Sequence, residues 1–266
     1  MPSLPLPDLP SVSDIPEPLR ILIVLGLAGL LVILRFDAER FNAAEYDDVD
    51  RWGNQPSRLR RLAWYTLGVG GILLVLTIHP RPATDLFLGL GDRLGAVILG
   101  LAYGAIGTTI ALVIAFMRYH TLRVPSPLAY PGALINAIAT AFIDEAVFRG
   151  LVFGFLLLTG VDPNLANLAQ ALLYGLASRL GAPGRPWYML LATIAIGLAS
   201  GWVTGITGGI GAAFLGHSIT RIAIFLTTGH AALLRARGTE VEEIERRRRP
   251  PPGWRVLGSR GATRDR

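Results

Sequence analysis

The 266-residue chain contains no cysteine, and all 25 of its basic residues are arginine. The lack of cysteine excludes disulfides, thiolate catalysis and cysteine-based metal sites together. Histidine is scarce, with four residues at positions 79, 120, 217 and 230, and no HExxH pattern occurs. A zincin-type helix is therefore excluded. Charge is sparse as well: 17% of residues are charged against 52% hydrophobic, and the mean hydropathy is +0.48. The few charges collect in the gaps between long apolar runs. A soluble fold does not do this, because each of its surface elements needs a polar face. Composition thus indicates an all-α, polytopic transmembrane helical bundle, multi-pass in the cell membrane and in contact with its lipids. The net charge of +6 and pI near 10.3 raise nucleic-acid binding as an alternative. Arginine, however, is concentrated in the tail beyond Gly229. That charge is assigned to anionic lipid and to topology, and no nucleic-acid partner is expected.

The apolar runs lie at 21–34, 62–78, 94–117, 130–158, 165–178, 188–204 and 210–228. A bilayer core needs roughly 20 apolar helical residues at about 1.5 Å each. About seven spans are predicted on that length rule, two of them long enough to tilt and the 165–178 run short enough to be partly re-entrant. Arginines alternate in abundance between successive gaps, which by the positive-inside rule predicts an outside N-terminus and a cytoplasmic C-terminus. The expected organisation is an extended Pro-rich lead (1–19), N-terminal spans (20–118) with a cytoplasmic loop at 36–61, a helical core (127–229) and a basic cytoplasmic tail (230–266). The lead lacks the basic start of a signal peptide, so the first run is expected to persist as a span.

Two charged sets fall inside apolar runs. Asp144, Glu145 and Arg149 sit in the middle of the longest run. A charge at mid-bilayer costs about 2.5–3.5 kcal/mol even on the mildest scales, so these side chains must face protein or water. Glu145 and Arg149 are four apart on one helical face and are expected to pair. Asp144 is turned about 100° from Glu145 and has no partner in its own helix. One reading makes the set an ion-pair network that fixes packing. The other makes one carboxylate a base that activates water. The second set is His217 and Arg221, again four apart, and Arg221 is within reach of Asp144 or Glu145 across a bundle. Between the two sets, Tyr174 and Ser178 share a face, and Arg179 is expected to be a boundary charge.

With these residues the chain resembles the CAAX prenyl protease and bacteriocin-processing family of intramembrane proteases, over roughly residues 127–228. The first family motif is an acidic pair, three residues, then Arg, usually between Phe and Gly; Asp144-Glu145-Ala-Val-Phe148-Arg149-Gly150 follows it with Asp for the first Glu. The second is an aromatic, three residues, then His; Tyr174 fits and Ser178 stands in place of His. The third is His, three residues, then Asn or Asp; His217 fits and Arg221 does not. The resemblance implies that Asp144 is the base, that Glu145 and Arg149 are a structural pair, and that His217 is an oxyanion donor. Ser178 lacks the basicity of the missing His, whose loss is worth roughly 10²–10⁴-fold in acid–base catalysis. Asp144 is shorter than the family's Glu by one methylene. Arg221 is either an oxyanion donor or a standing counter-charge on Asp144.

Asp144, Glu145 and His217 are too few and too committed to make zinc expected, so no metal or other cofactor is assigned. The Ser200 segment, Leu198-Ala199-Ser200-Gly201, lacks the Gly two positions before Ser that a rhomboid-type motif carries. Ser218 points about 100° away from His217. The leading expectation is a CAAX-protease-like protein with reduced or absent peptidase activity that binds or processes a membrane-anchored protein or peptide. An active, atypical intramembrane endopeptidase is the second reading, and a transporter-like or structural protein the third. The span boundaries also carry a tension: they put Asp144 and His217 deep and Ser178 near the cytoplasmic edge.

Overall fold

The computed structural model describes residues 12–38, 40–41, 43, 58–119, 131–180 and 187–228. The basic tail and most of the loop at 36–61 lie outside the described residues. After a single 3₁₀ turn at Val12–Asp14, the chain forms α1 (Glu17–Phe36), α2 (Arg58–Ile78), the one-turn α3 (Pro82–Asp85) and α4 (Arg93–Tyr119). It continues with α5 (Pro131–Asp144), a π-helical segment (Glu145–Val152), α6 (Phe153–Leu158), α7 (Pro163–Leu180), α8 (Trp187–Thr207) and α9 (Gly211–Thr228). Proline in the first turn of α1 starts that helix where its missing N–H costs nothing.

The all-α character holds, but the count of seven spans does not. Among the described residues four helices are long and apolar enough to cross a membrane: Glu17–Phe36, Leu59–Ile78, Arg93–Met117 and Leu190–Thr207. The run at 130–158 falls short because Asp144, Glu145 and Arg149 interrupt it where it changes to a π-helix. Asn164, Asn167 and Gln170 dilute α7, and the apolar part of α9 is the shorter stretch Gly211–Thr227. With four such helices, the odd-numbered alternation that placed the N-terminus outside and the C-terminus in the cytoplasm is lost. The four carry large apolar side chains on their outer faces, among them Leu22, Leu30, Leu73, Ile98, Leu101 and Trp202, all exposed. Apolar side chains on the outside as well as in the core suit these helices to lipid contact.

The π-helical segment is the centre of the core. Every residue from Glu145 to Leu151 is buried. Its Val147, Phe148 and Leu151 pack with Val24 and Leu31 of α1, Trp64 and Ile72 of α2, and Tyr174 of α7. Without strong hydrophobic attraction between helices in lipid, close backbone approach has to supply the contact, and small residues permit it. A Cβ on Gly216 of α9 would lie 2.3 Å from Cδ1 of Tyr103 in α4, and one on Gly107 of α4 would lie 2.0 Å from Oγ1 of Thr220. Gly154 does the same below the π-segment, where a Cβ would meet the Asp85 carbonyl oxygen at 2.7 Å. The connection at 82–92 is thereby held against the bundle. It is tied further by the Asp92 N–H, which donates to the Thr207 carbonyl, and by the Ile210 N–H, which donates to the carbonyls of Phe87 and Gly89.

Candidate functional site

The end of α5, the π-helical segment, the C-terminal halves of α7 and α8 and the middle of α9 bring one polar cluster into the apolar interior. Asp144 and Glu145 are fully buried, and Arg149, Tyr174, Ser178, Ser200, His217 and Arg35 are each at most 3% exposed. Buried charge at this density is tolerable only when paired and hydrogen-bonded. The pairing is organised around the two acids separately.

Asp144 lies between two guanidinium groups. Arg35 Nε of α1 donates to its Oδ1 at 2.7 Å, and Arg221 Nη1 of α9 stands 3.4 Å from its Oδ2. Arg221 also donates to the Thr140 hydroxyl one turn earlier on α5. Arg35 reaches on through Nη2 to donate to the Ser178 hydroxyl at 3.3 Å. Asp144 and Ser178 therefore sit at one level, bridged by the same guanidinium. The expected difference in depth between them is corrected: α7 runs to Leu180, and Ser178 meets the acid within one turn of that end.

Glu145 turns to the other side. Its Oε1 is 2.5 Å from Nδ1 of His217 and accepts a hydrogen bond from Ser200 Oγ at 3.2 Å. Its Oε2 is 3.2 Å from Arg149 Nε, so the pair expected from the four-residue spacing is present. Those two atoms are close but not aligned for a hydrogen bond, and the Arg149 guanidinium makes none among the described residues. It lies over the Tyr174 ring at 4.3 Å from the centroid instead, a cation–π contact in a desolvated setting. Tyr174 joins the two halves. Its hydroxyl is 3.3 Å from His217 Nε2 and 3.5 Å from Asp144 Oδ2, with one hydrogen for the two acceptors.

All seven residues singled out in the sequence thus meet in one cluster: Asp144, Glu145, Arg149, Tyr174, Ser178, His217 and Arg221. Three further participants were not among the site residues expected from the sequence. Arg35, directly after the apolar run 21–34, makes the shortest contact of Asp144. Ser200, set aside for its missing Gly, bonds Glu145, and Tyr103 of α4 lies 3.0 Å from Ser200 Oγ. Chemically, the cluster offers no free carboxylate. Both oxygens of Asp144 face cations, and both nitrogens of His217 are within hydrogen-bond distance of a partner. Among the described residues no three His, Cys, Asp or Glu side chains are grouped to hold a metal ion. The donor set does not fit one either, because both Asp144 oxygens face arginines and Glu145 is taken up by His217, Ser200 and Arg149.

The fold and cluster define an all-α bundle with four described helices long and apolar enough to cross a membrane and a buried, ion-paired polar site. Residues 125–223 match the family model described as type II CAAX prenyl endopeptidase Rce1-like, a partial match to that family. No curated protein and no solved structure matches the chain. The matched stretch contains all seven residues named from the motifs and excludes Arg35 and Tyr103.

Proposed function

We propose that this is a CAAX-protease-like membrane protein whose peptidase chemistry is reduced or absent, and which binds or matures a membrane-anchored protein or peptide. One observation carries the reading: Asp144, in the position of the family's water-activating acid, is clamped between Arg35 and Arg221. A general base must hold a proton in the course of its work, and an acid flanked by two fixed cations strongly prefers to stay ionised. The second-motif histidine that would share the proton is Ser178, and it accepts from the same Arg35. His217, the family's oxyanion donor, is engaged with Glu145 and Tyr174 instead. In this reading Glu145 and Arg149 keep their structural role, and the cluster sets the shape of a helical surface that a membrane-anchored partner recognises.

The test is hydrolysis of a peptide library, including prenylated C-terminal peptides, by the full chain purified in detergent, with Asp144→Ala as control. The expected result is no cleavage above that control. Turnover that disappears in Asp144→Ala would replace this reading with that of a working atypical endopeptidase.

A further inference from the structure

The site contains a feature that hydrolysis does not require, a continuous line of hydrogen-bonding groups from one acid to the other. Glu145 Oε1, His217 Nδ1, His217 Nε2, Tyr174 OH and Asp144 Oδ2 follow one another at 2.5, 3.3 and 3.5 Å. Each member is buried: Glu145 and Asp144 are fully inaccessible, His217 is 1% exposed and Tyr174 2%. We infer that these four side chains form a one-proton relay, in which a proton taken up by His217 turns the Tyr174 hydroxyl from His217 Nε2 to Asp144 Oδ2.

The argument is one of donors and acceptors. A carboxylate can only accept, so the short contact to Glu145 fixes a hydrogen on Nδ1 of His217. In neutral His217 the Nε2 atom is then an acceptor. Tyr174 has a single hydroxyl hydrogen and two acceptors in reach, and it serves the nearer, Nε2. When Nε2 gains a proton it becomes a donor to the Tyr174 oxygen. The tyrosine's own hydrogen is released to point at Asp144 Oδ2, the remaining acceptor. No covalent bond to a heavy atom other than N–H changes, and the balance is one proton gained from solvent.

The surroundings hold the heavy atoms still while the hydrogen moves. Arg149 covers one face of the Tyr174 ring, and Phe148 packs against it with centroids 5.1 Å apart. Charge around the line determines where the proton rests. Facing it are Arg35 from α1, Tyr103 from α4, Arg149 from the π-segment, Ser200 from α8 and Arg221 from α9. The arginines beside Asp144 keep that end ionised, so it accepts a hydrogen bond and not the proton. The imidazolium is held by Glu145 on one side and, through Tyr174, by Asp144 on the other. The line therefore stores a proton on His217 and links the two acids through one chain of hydrogen bonds.

The experiment uses the full chain in lipid bilayers, with ¹⁵N-labelled histidine and ¹³Cζ-labelled tyrosine, followed by NMR across a pH titration. In the wild type the neutral form of His217 should carry its hydrogen on Nδ1, and the Tyr174 ¹³Cζ signal should shift with the same midpoint as His217. Tyr174→Phe, which removes one oxygen and keeps the ring, should weaken binding of the second proton to His217 about tenfold, a midpoint shift of about one pH unit. Asp144→Asn should weaken it too, and less so when made on top of Tyr174→Phe, because the link is already cut. A Tyr174 signal that ignores His217 protonation overturns the relay on the wild type alone, whether or not the variants fold. Strict additivity of the two substitutions overturns it as well. No peptidase assay enters, so the result is independent of whether the chain cleaves peptides.

Discussion

Arg35 Nε lies 2.7 Å from Asp144 Oδ1, with both side chains buried and the two residues 109 positions apart in the chain. The contact fastens the first helix to the acidic pair. Removing one partner of a buried ion pair leaves the other unpaired in low dielectric, which costs about 3–5 kcal/mol. Arg35→Gln leaves Asp144 with Arg221 alone and should lower stability by up to about 3–5 kcal/mol, read as the midpoint of denaturant unfolding in detergent. Asp144→Asn should cost less on top of Arg35→Gln than in the wild type, because one of the two ion pairs it would break is already gone. A double variant that is merely the sum of the singles would show that the two residues do not depend on each other.

A second prediction concerns the departures from the family pattern. If Ser178 and Arg221 are what silences the site, restoring the family residues should reawaken it. The combined change Ser178→His and Arg221→Asn supplies a base beside Asp144 and frees Oδ2. Each single change should leave peptide cleavage at background. Together they should raise it by roughly 10²-fold or more, within the roughly 10²–10⁴-fold scale of one acid–base group. No gain in the combined variant would shift the block to Arg35, which still holds Oδ1.

How much of this was legible in the sequence follows from where each signal is local. Asp144, Glu145 and Arg149 stand out because charge inside an apolar run has few innocent explanations, and the spacing of four showed that Glu145 and Arg149 share a face. His217 and Arg221 were visible on the same grounds. Arg35 was not, because an arginine at the end of an apolar run is what any span boundary offers, and nothing local distinguishes one that folds inward. The depth of Ser178 was misjudged since span ends were drawn from hydropathy, whereas Arg35 bridges it to Asp144. The span count failed for a related reason: a run such as 130–158 is apolar on average, yet it is interrupted by the charges that form the site.

The α4–α9 seam gives a third prediction. Gly216 precedes His217, and a Cβ there would stand 2.3 Å from the Tyr103 ring. Gly216→Ala must push the helices apart or displace the tyrosine, and overpacking of this kind costs about 1–3 kcal/mol. The measurable outcome is a lower unfolding midpoint together with a changed His217 ¹⁵N spectrum, since the displaced helix carries that ring. Gly205 of α8, where a Cβ meets nothing within 4 Å, is the matched control, and Gly205→Ala should be silent or slightly stabilising.

The last prediction is a dependence on pH outside the spans. His79 follows the end of α2 and is 3% exposed, with its Nδ1 accepting the Arg81 N–H at 3.2 Å and its Nε2 without a hydrogen-bond partner among the described residues. Burial pushes its pKa below the ordinary 6.5; Asp85 and Glu17 oppose this, and Arg20 and Arg81 reinforce it. The folded state thus favours the neutral ring, and the unfolded chain binds the proton more readily. Stability is full above pH 6.5 and declines as pH falls from there toward the lowered folded value, because the unfolded state gains protons first. The unfolding midpoint in detergent should fall on acidification through that window. Replacing His79 with Gln, which keeps a polar side chain but cannot titrate, should flatten that part of the profile. An unchanged slope would assign the acid sensitivity to other groups, the buried His217 first among them.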